Sequence, residues 1–279
     1  MLRNTFVHLP HIGLTTEQRL WASGILTWND LFEQKTEDAK KFQHLKNLIS
    51  LSEYKLQMKD AKFFTDRLRS DQHWRIFQDF RDRTAYLDIE TTGLREKDHI
   101  TTIALFDGKK IFHYIYGKNL KQFKYDIKKY KVLITYNGKC FDVPILEREF
   151  KINLPQAHLD LRYILRSLGN SGGLKSCEHQ LGLSRGDLEG IDGYFAVHLW
   201  HDYLNGNKKA LETLLAYNIM DTINLEKLML IAYERKFKSC WLNKRSIISI
   251  PKYPKDIEKI KIPFKADSKT IEKIKKKYY

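Results

Sequence analysis

Asp88, Glu90, Asp142, Tyr217 and Asp221 are the residues of this chain whose types and spacing could do chemistry together. Asp88 and Glu90 fall in the stretch from Tyr86 to Leu94, where Tyr86, Leu87 and Ile89 favour a strand and Thr91, Thr92 and Gly93 favour a turn. Side chains alternate faces along a strand, so the two carboxylates share one face, about 7 Å apart along the chain. Burying a carboxylate without a partner costs several kcal/mol. A strand this apolar therefore carries two acids either as a divalent-metal site or as an exposed edge with solvated side chains.

The remaining three residues arrive from other elements. Ile134 to Tyr136 end a short apolar strand, Asn137-Gly138 turns the chain, and a helix begins near Asp142 with Pro144 in its first turn. Asp142 is then at the C-terminal edge of the sheet, where ligands bind in open α/β sheets, although in isolation a helix N-cap explains it better than a catalytic role. Along the helical run from Ala210 to Ala232, Leu214, Tyr217, Asn218, Leu225 and Leu228 lie on the same stripe as Asp221. That stripe faces the core, so Asp221 needs neutralising, and Tyr217 sets a phenol one turn before it.

The elements that must position these groups follow from pattern. Two strand-like runs, His99 to Phe106 and Lys110 to Tyr116, flank Asp107-Gly108, a strong hairpin signal. A helix near Leu120 to Tyr130 precedes the strand ending at Tyr136, and His158-Leu159-Asp160 ends another strand with Asp160 as an N-cap. The expected fold class is α/β, a mixed five-stranded sheet flanked by helices, behind an all-helical N-terminal region. The expected organisation is residues 1–33, a helical connector over 34–83, the sheet-bearing unit over 84–238 and a basic extension over 239–279.

At the N-terminus, Thr15 with Gln18 forms a capping box, Leu20 and Trp21 give a helix its apolar positions, and Gly24 ends it. A second helix starts near Thr27. The pair looks like a helix-hairpin-helix motif, whose hairpin offers backbone N–H groups to a phosphate, with His11 where the first glycine of that hairpin usually stands. Charged amphipathic runs follow: Lys40 to Leu51, Asp60 to Leu68 and Gln72 to Phe80, in which Trp74 and Phe77 are core anchors. His198 and His201, three apart on a helix from Tyr194 to Leu204, are surface or core histidines without a nearby third ligand.

Composition narrows the partners. The 279 residues carry a net charge of +15, and the segment from Arg235 to Tyr279, with fifteen Lys/Arg against four Asp/Glu, accounts for +11 of it. Such a segment attracts polyanions, nucleic acid first, or serves only as a solubilising tail. Cys140, Cys177 and Cys240 lack metal-type spacing and are expected as free thiols. With no secretory leader and no long apolar run, a soluble cytoplasmic protein with no membrane association is expected.

Three motifs in order, Asp-Ile-Glu-Thr-Thr-Gly from Asp88, Tyr-Asn-Gly-Lys-x-Phe-Asp-x-Pro from Tyr136, and Tyr-Asn-x-x-Asp from Tyr217, resemble the DEDDy branch of the ribonuclease-H-like 3′-to-5′ exonucleases. That branch includes the proofreading domains of family B DNA polymerases. The resemblance spans roughly residues 84 to 235, and the arrangement looks most like the free-standing YprB-type proteins. It implies a metal-dependent exonuclease acting on single-stranded 3′ ends, of DNA first and of RNA as the alternative. A catalytically silent nucleic-acid-binding scaffold and a structure-specific endonuclease are the rival expectations.

The resemblance also implies roles. Asp88 would bridge two divalent cations, Mg²⁺ or Mn²⁺, which as hard ions take oxygen ligands. Glu90 and Asp221 would ligate the nucleophile-side ion, Asp142 would act through metal-bound water, and Tyr217 would orient or help deprotonate the attacking water. Thr91, Thr92, Leu94, Asn137 and Phe141 would hold the terminal nucleotide. From the sequence itself, Lys175, in Gly172-Gly173-Leu174-Lys175, either contacts a phosphate beside the site or is a solvated lysine.

Overall fold

A computed structural model of the chain describes residues 1–34, 39–93, 95, 97–245 and 260–278. At its centre is one mixed sheet of five strands: β1 (Thr84–Thr91), β2 (Ile100–Phe106), β3 (Ile111–Ile115), β4 (Val132–Thr135) and β5 (Ala157–Asp160). Their order across the sheet is β3-β2-β1-β4-β5. The β1–β2 and β2–β3 pairs are antiparallel, whereas β1–β4 and β4–β5 are parallel. The hairpin expected at Asp107-Gly108 joins β2 to β3, with Gly108 at φ +86°, a conformation glycine adopts at little cost.

Thirteen α-helices surround the sheet among the described residues. Before it come α1 (Leu14–Ala22), α2 (Trp28–Glu33), α3 (Ala39–Gln57), α4 (Ala61–Thr65) and α5 (Phe77–Phe80). Within and after it lie α6 (Phe123–Asp126), α7 (Asp142–Phe150), α8 (Leu161–Arg166), α9 (Leu174–Gln180), α10 (Gly193–Leu204), α11 (Lys208–Ser239), α12 (Trp241–Lys244) and α13 (Ser268–Tyr278).

The two faces of the sheet bury different residues. Ala85, Leu87, Ile89, Ile103, Leu105 and Leu133 pack with Phe123 and Leu146 on one side. Tyr86, Ala104, Phe106, Val132 and Ile134 pack on the other with Ile219, Ile223, Leu225 and Leu228 of α11. The period of two thus turns the even positions of β1 toward α11. At 32 residues α11 is about 48 Å long, enough to cross the whole sheet and continue beyond it. Asp221 lies part-way along it, opposite Asp88 and Glu90. The β1–β2 register shifts between Glu90 and Thr91, so Glu90 pairs with Thr102 but Thr91 with Ile100. Bulges of this kind re-aim side chains, here beside the acids.

The N-terminal helices join the sheet through one continuous apolar cluster running from Leu2, Phe6, Trp21 and Trp28 through Phe64 and Phe77 to Tyr233 and Phe237. A buried ion pair sits within it. Arg75 donates from Nη2 to Glu17 Oε2 at 2.8 Å and from Nη1 to Oε1 at 3.1 Å, and Glu17 Oε1 also accepts from the Phe6 N–H at 2.7 Å.

Three local expectations change, the first of them the helix near Leu120 to Tyr130, which divides into 3₁₀, α and 3₁₀ turns over Leu120–Gln122, Phe123–Asp126 and Ile127–Lys129. The capping box at Thr15 and Gln18 is not formed: α1 starts earlier, with Gly13 as its N-cap, and Thr15 is already inside the first turn. The box occurs instead at α2, where Thr27 Oγ1 accepts from the Asp30 N–H and the Asp30 carboxylate accepts from the Thr27 N–H. The run from Gln72 to Phe80 is not one α-helix, because Ser70–Ile76 winds as 3₁₀ before α5. Arg75 Nε donates to Gln72 Oε1 at 3.0 Å, a pairing three residues apart that three residues per turn brings into line. His11, in the hairpin, sits at φ +63° and is exposed. Of the basic extension expected over 239–279, residues 246–259 and 279 lie outside the described residues.

Among the described residues, no helix is long and apolar enough to cross a membrane. All three cysteines are free.

Candidate active site

Asp88 and Glu90, toward the C-terminal end of the central strand β1, meet Asp221 of α11, with one carboxylate oxygen from each lying within 4.8 Å of the others. They form the floor of a cavity of about 950 Å³. The strand supplies two acids by alternation, and the helix supplies the third from its core-facing stripe. Such convergence costs electrostatic energy. Burial pushes the Asp88 carboxyl well above the usual range, and the charges of Asp221, Glu90 and Asp142 push it further. Glu90 is raised in the same way, by burial first and by Asp221 next.

The neighbours that relieve this charge are specific. Asn218 Nδ2 donates to Asp88 Oδ2 at 2.7 Å, while Asn218 Oδ1 accepts from Thr102 Oγ1 at 3.1 Å. Lys175 Nζ and Arg185 Nη2 each contact one oxygen of Asp221. Arg185 is buried, and its Nη1 also holds both oxygens of Glu178, at 3.0 and 2.7 Å. Asn224 Nδ2 donates to Glu178 Oε1 at 2.8 Å and completes the network. Burial pulls the Arg185 guanidinium down, but Asp221 and Glu178 outweigh it and leave it raised. Burial raises the Glu178 carboxyl, and Asp221 adds to the rise.

Tyr217 is 1% exposed, one turn before Asp221 on α11, with Lys175 Nζ 4.5 Å and Arg185 Cζ 5.3 Å from its ring centroid. Burial drives its phenol well above the ordinary value, and Asp221, Glu90 and Asp88 drive it further. The hydroxyl therefore keeps its proton.

Asp142 is buried in the first turn of α7, and its Oδ1 accepts from the Ile89 N–H at 3.3 Å. That N–H lies beyond the last β1–β4 pair, Tyr86 with Ile134, so the side chain takes the place of a strand partner. Burial moves its carboxyl up to about 7. Asp142 is thus tied to the backbone between Asp88 and Glu90 and is not among the three acids whose oxygens meet.

Thr91, Thr92, Phe141 and Lys175 line the cavity, together with Tyr136, Leu174, Tyr194, Val197 and His201. Asn137 does not. At φ +63° it turns the chain after β4, its N–H donates to Asp160 Oδ1 at 2.8 Å, and its own Oδ1 accepts from Arg162 at 2.6 Å. Leu94 lies outside the described residues. Asp160 is the N-cap of α8, as the sequence suggests.

The donor set suits a hard divalent cation: three carboxylates from two elements, oxygen ligands only, and two of them raised by burial first and by neighbouring carboxylates next. Asp221 is shared with two cationic side chains. Lys175, a third exposed on a flexible stem, can move aside, whereas Arg185 is 3% exposed and fixed by Glu178. Glu178, Arg185 and Asn224 were not legible as site residues. Arg185 lies in a Ser-Arg-Gly loop without periodicity, and only its burial marks it. Asn218 had a signal, its place on the Asp221 stripe.

No curated protein matches the chain. Among solved structures, it is similar to the family B DNA polymerase from the hyperthermophilic archaeon Pyrobaculum calidifontis, at 18% identity and a TM-score of 0.42, over 60% of this chain and 27% of the polymerase. The chain thus spans about a quarter of that protein. The model of the RNase_H superfamily matches residues 85–233, from the first residues of β1 to the later turns of α11. The match takes in more than half of the chain and every one of the converging acids, and the chain belongs to the RNase_H superfamily.

Proposed function

We propose that this protein is a divalent-metal-dependent nuclease, specifically a 3′-to-5′ exonuclease of the DEDDy, YprB-type branch that hydrolyses phosphodiester bonds at single-stranded ends. DNA is the favoured substrate and RNA the alternative. The observation that carries the reading is the meeting of Asp88, Glu90 and Asp221 within 4.8 Å on the floor of an open cavity, with Tyr217 beside them.

Asp88, Glu90 and Asp221 would hold the cations, Mg²⁺ or Mn²⁺, which bound there would polarise the scissile phosphate and lower the pKa of the attacking water. The chain's own groups do the rest. Asn218 fixes the rotamer of Asp88, and Arg185 fixes that of Asp221. The Tyr217 phenol, one turn before Asp221 and lining the same cavity as the acids, orients or helps deprotonate the attacking water. Lys175 Nζ, free to leave Asp221 for the incoming substrate, contacts a phosphate oxygen. Thr91, Thr92 and Phe141 wall the terminal nucleotide. Asp142 acts from beside β1, through the Ile89 N–H and the field it places on Asp88.

The test is a 5′-labelled oligonucleotide, as DNA and as RNA, incubated with Mg²⁺ or Mn²⁺. A ladder of progressively shorter labelled products, lost with EDTA or Asp88→Ala, is expected. No shortening, or shortening that survives Asp88→Ala, would sink the proposal, and internal cuts on a branched substrate would identify an endonuclease. One observation favours a second reading, a silent nucleic-acid-binding scaffold: both oxygens of Asp221 already face cationic side chains. Salt-sensitive binding with no turnover and no heat of Mn²⁺ binding would establish it.

A further inference from the structure

The basic C-terminal helix does not trail away from the molecule. Ile271 and Ile274 of α13, three apart on one face, are buried in the same apolar cluster as Leu199 of α10 and Leu214 and Tyr217 of α11. Polar contacts hold both ends of that stripe. The Asp267 N–H donates to Thr213 Oγ1 at 3.0 Å, Asn207 Nδ2 donates to Thr270 Oγ1 at 3.2 Å, and Lys273 Nζ reaches Asp202 Oδ1 at 2.9 Å.

Seated in this way, α13 points its last turn at the rim of the carboxylate cavity. The Tyr278 ring stacks on His198 with centroids 3.7 Å apart and planes 10° apart. His198 in turn meets the Tyr194 ring edge-on at 4.8 Å. Tyr194 lines the cavity, so the three rings form a ladder that leads out of it. Both ends of the ladder are open to solvent, Tyr194 at 67% and Tyr278 at 45%. Lys275 Nζ lies 3.8 Å from where a side chain on Gly190 would begin, just before Asp192, Gly193 and Tyr194 of the cavity wall.

Charge and aromaticity coincide on this face. α13 exposes Lys269, Lys273, Lys275, Lys276 and Lys277 against the single acid Glu272. Lys273 is paired with Asp202, and Lys277 lies over the Tyr278 ring at 4.9 Å. Among the described residues, Lys275 and Lys276 have no carboxylate partner. Ammonium groups beside exposed rings are what an unpaired nucleic-acid strand needs, because its phosphates and the faces of its bases are accessible together. A duplex keeps those faces within its own stack.

We propose that the α10–α13 face binds the single-stranded segment that leads into the carboxylate site, with Tyr194 stacking on a base and Lys275 and Lys276 contacting phosphates. This rests on the nuclease reading for its direction, but its test does not need turnover. Binding of a fluorescent oligothymidylate is measured by anisotropy in EDTA at several salt concentrations. Lys275→Gln with Lys276→Gln should lower the slope of log K against log[salt] by about 1.4, since each single-strand phosphate contact contributes about 0.7. Tyr194→Ala should weaken binding about tenfold, and Tyr194→Phe should restore it. Lys124→Gln with Lys128→Gln, at the other end of the sheet, should leave the slope unchanged.

An unchanged slope in the α13 pair, an equal loss in the Lys124 and Lys128 pair, or equal affinity for a blunt duplex would overturn the proposal. Salt-dependent binding with the expected losses and no cleavage in Mg²⁺ would leave it standing while the exonuclease reading fell. Cleavage with binding untouched by these variants would do the reverse.

Discussion

Asn218 Nδ2 lies 2.7 Å from Asp88 Oδ2, joining α11 to β1 across 130 residues of sequence. Its other amide atom accepts from Thr102 on β2, so a single side chain fixes the Asp88 rotamer against two elements. Groups that orient a metal-binding carboxylate in this way change metal affinity or activity by about 10- to 100-fold when removed. Asn218→Ala is therefore expected to raise the Mn²⁺ concentration needed for half-maximal cleavage by about that factor, with the folded state intact by circular dichroism. A metal titration of activity checks it, and an unchanged midpoint would assign Asn218 a packing role alone.

Asp88 and Glu90 place a price on stability. Their folded pKa values are raised by burial and by each other's neighbours, so the stability they allow is complete below the unfolded value near 4 and is lost as pH rises through the raised folded value. Near neutral pH in EDTA, Asp88→Asn should accordingly shift the urea midpoint upward while abolishing cleavage. Adding Mg²⁺ should stabilise the wild type, by about 2.7 kcal/mol at a hundred times its Kd, and not the variant. A destabilised Asp88→Asn protein in EDTA would contradict this account.

The Arg75–Glu17 pair predicts a non-additive effect. Both side chains are buried, and Glu17 also accepts the Phe6 N–H. Removing one partner strands a buried charge, so Arg75→Met should cost about 3 to 5 kcal/mol, whereas Arg75→Met combined with Glu17→Met should cost less than either single change. Urea unfolding of the three variants measures the coupling. Additive losses would show that the pair does not act as a unit.

Two histidines set an acid limit. Burial lowers His8 to about 3, helped by Arg67, and lowers His158 to about 3, helped by Lys139. His8 Nε2 lies 2.9 Å from Ser52 Oγ, and His158 Nε2 lies 2.8 Å from Thr135 Oγ1. Because the folded values are depressed, stability is complete above the unfolded value of 6.5 and declines as pH falls from there toward 3. Because Asp88 and Glu90 act in the opposite sense over part of that window, the readout is a difference: the wild-type midpoint minus the His8→Gln midpoint should shrink as pH falls from 6.5 toward 3. A difference that holds constant over the window would refute it.

The legible part of this protein is the part written in local periodicity. Alternation along β1 puts Asp88 and Glu90 on one face, a 3.6-residue stripe puts Tyr217 and Asp221 toward the core, and Asp-Gly and Asn-Gly mark the turns, because each pattern is set by the chain's own geometry. These patterns suffice for a mixed sheet with a carboxylate cluster at its C-terminal edge. What they leave undecided is set by contacts between residues distant in sequence. The Thr15 box fails because the helix start is chosen by Gly13, and Asp142 turns to the Ile89 N–H because β4 stops short of it. Arg185 reaches Asp221, and α13 folds back on α10, only once α9, α10 and α11 have packed together. No local pattern announces a cation 36 residues away from the acid it holds, because that pairing exists only in the tertiary structure, where burial makes an unpartnered charge too costly to leave alone.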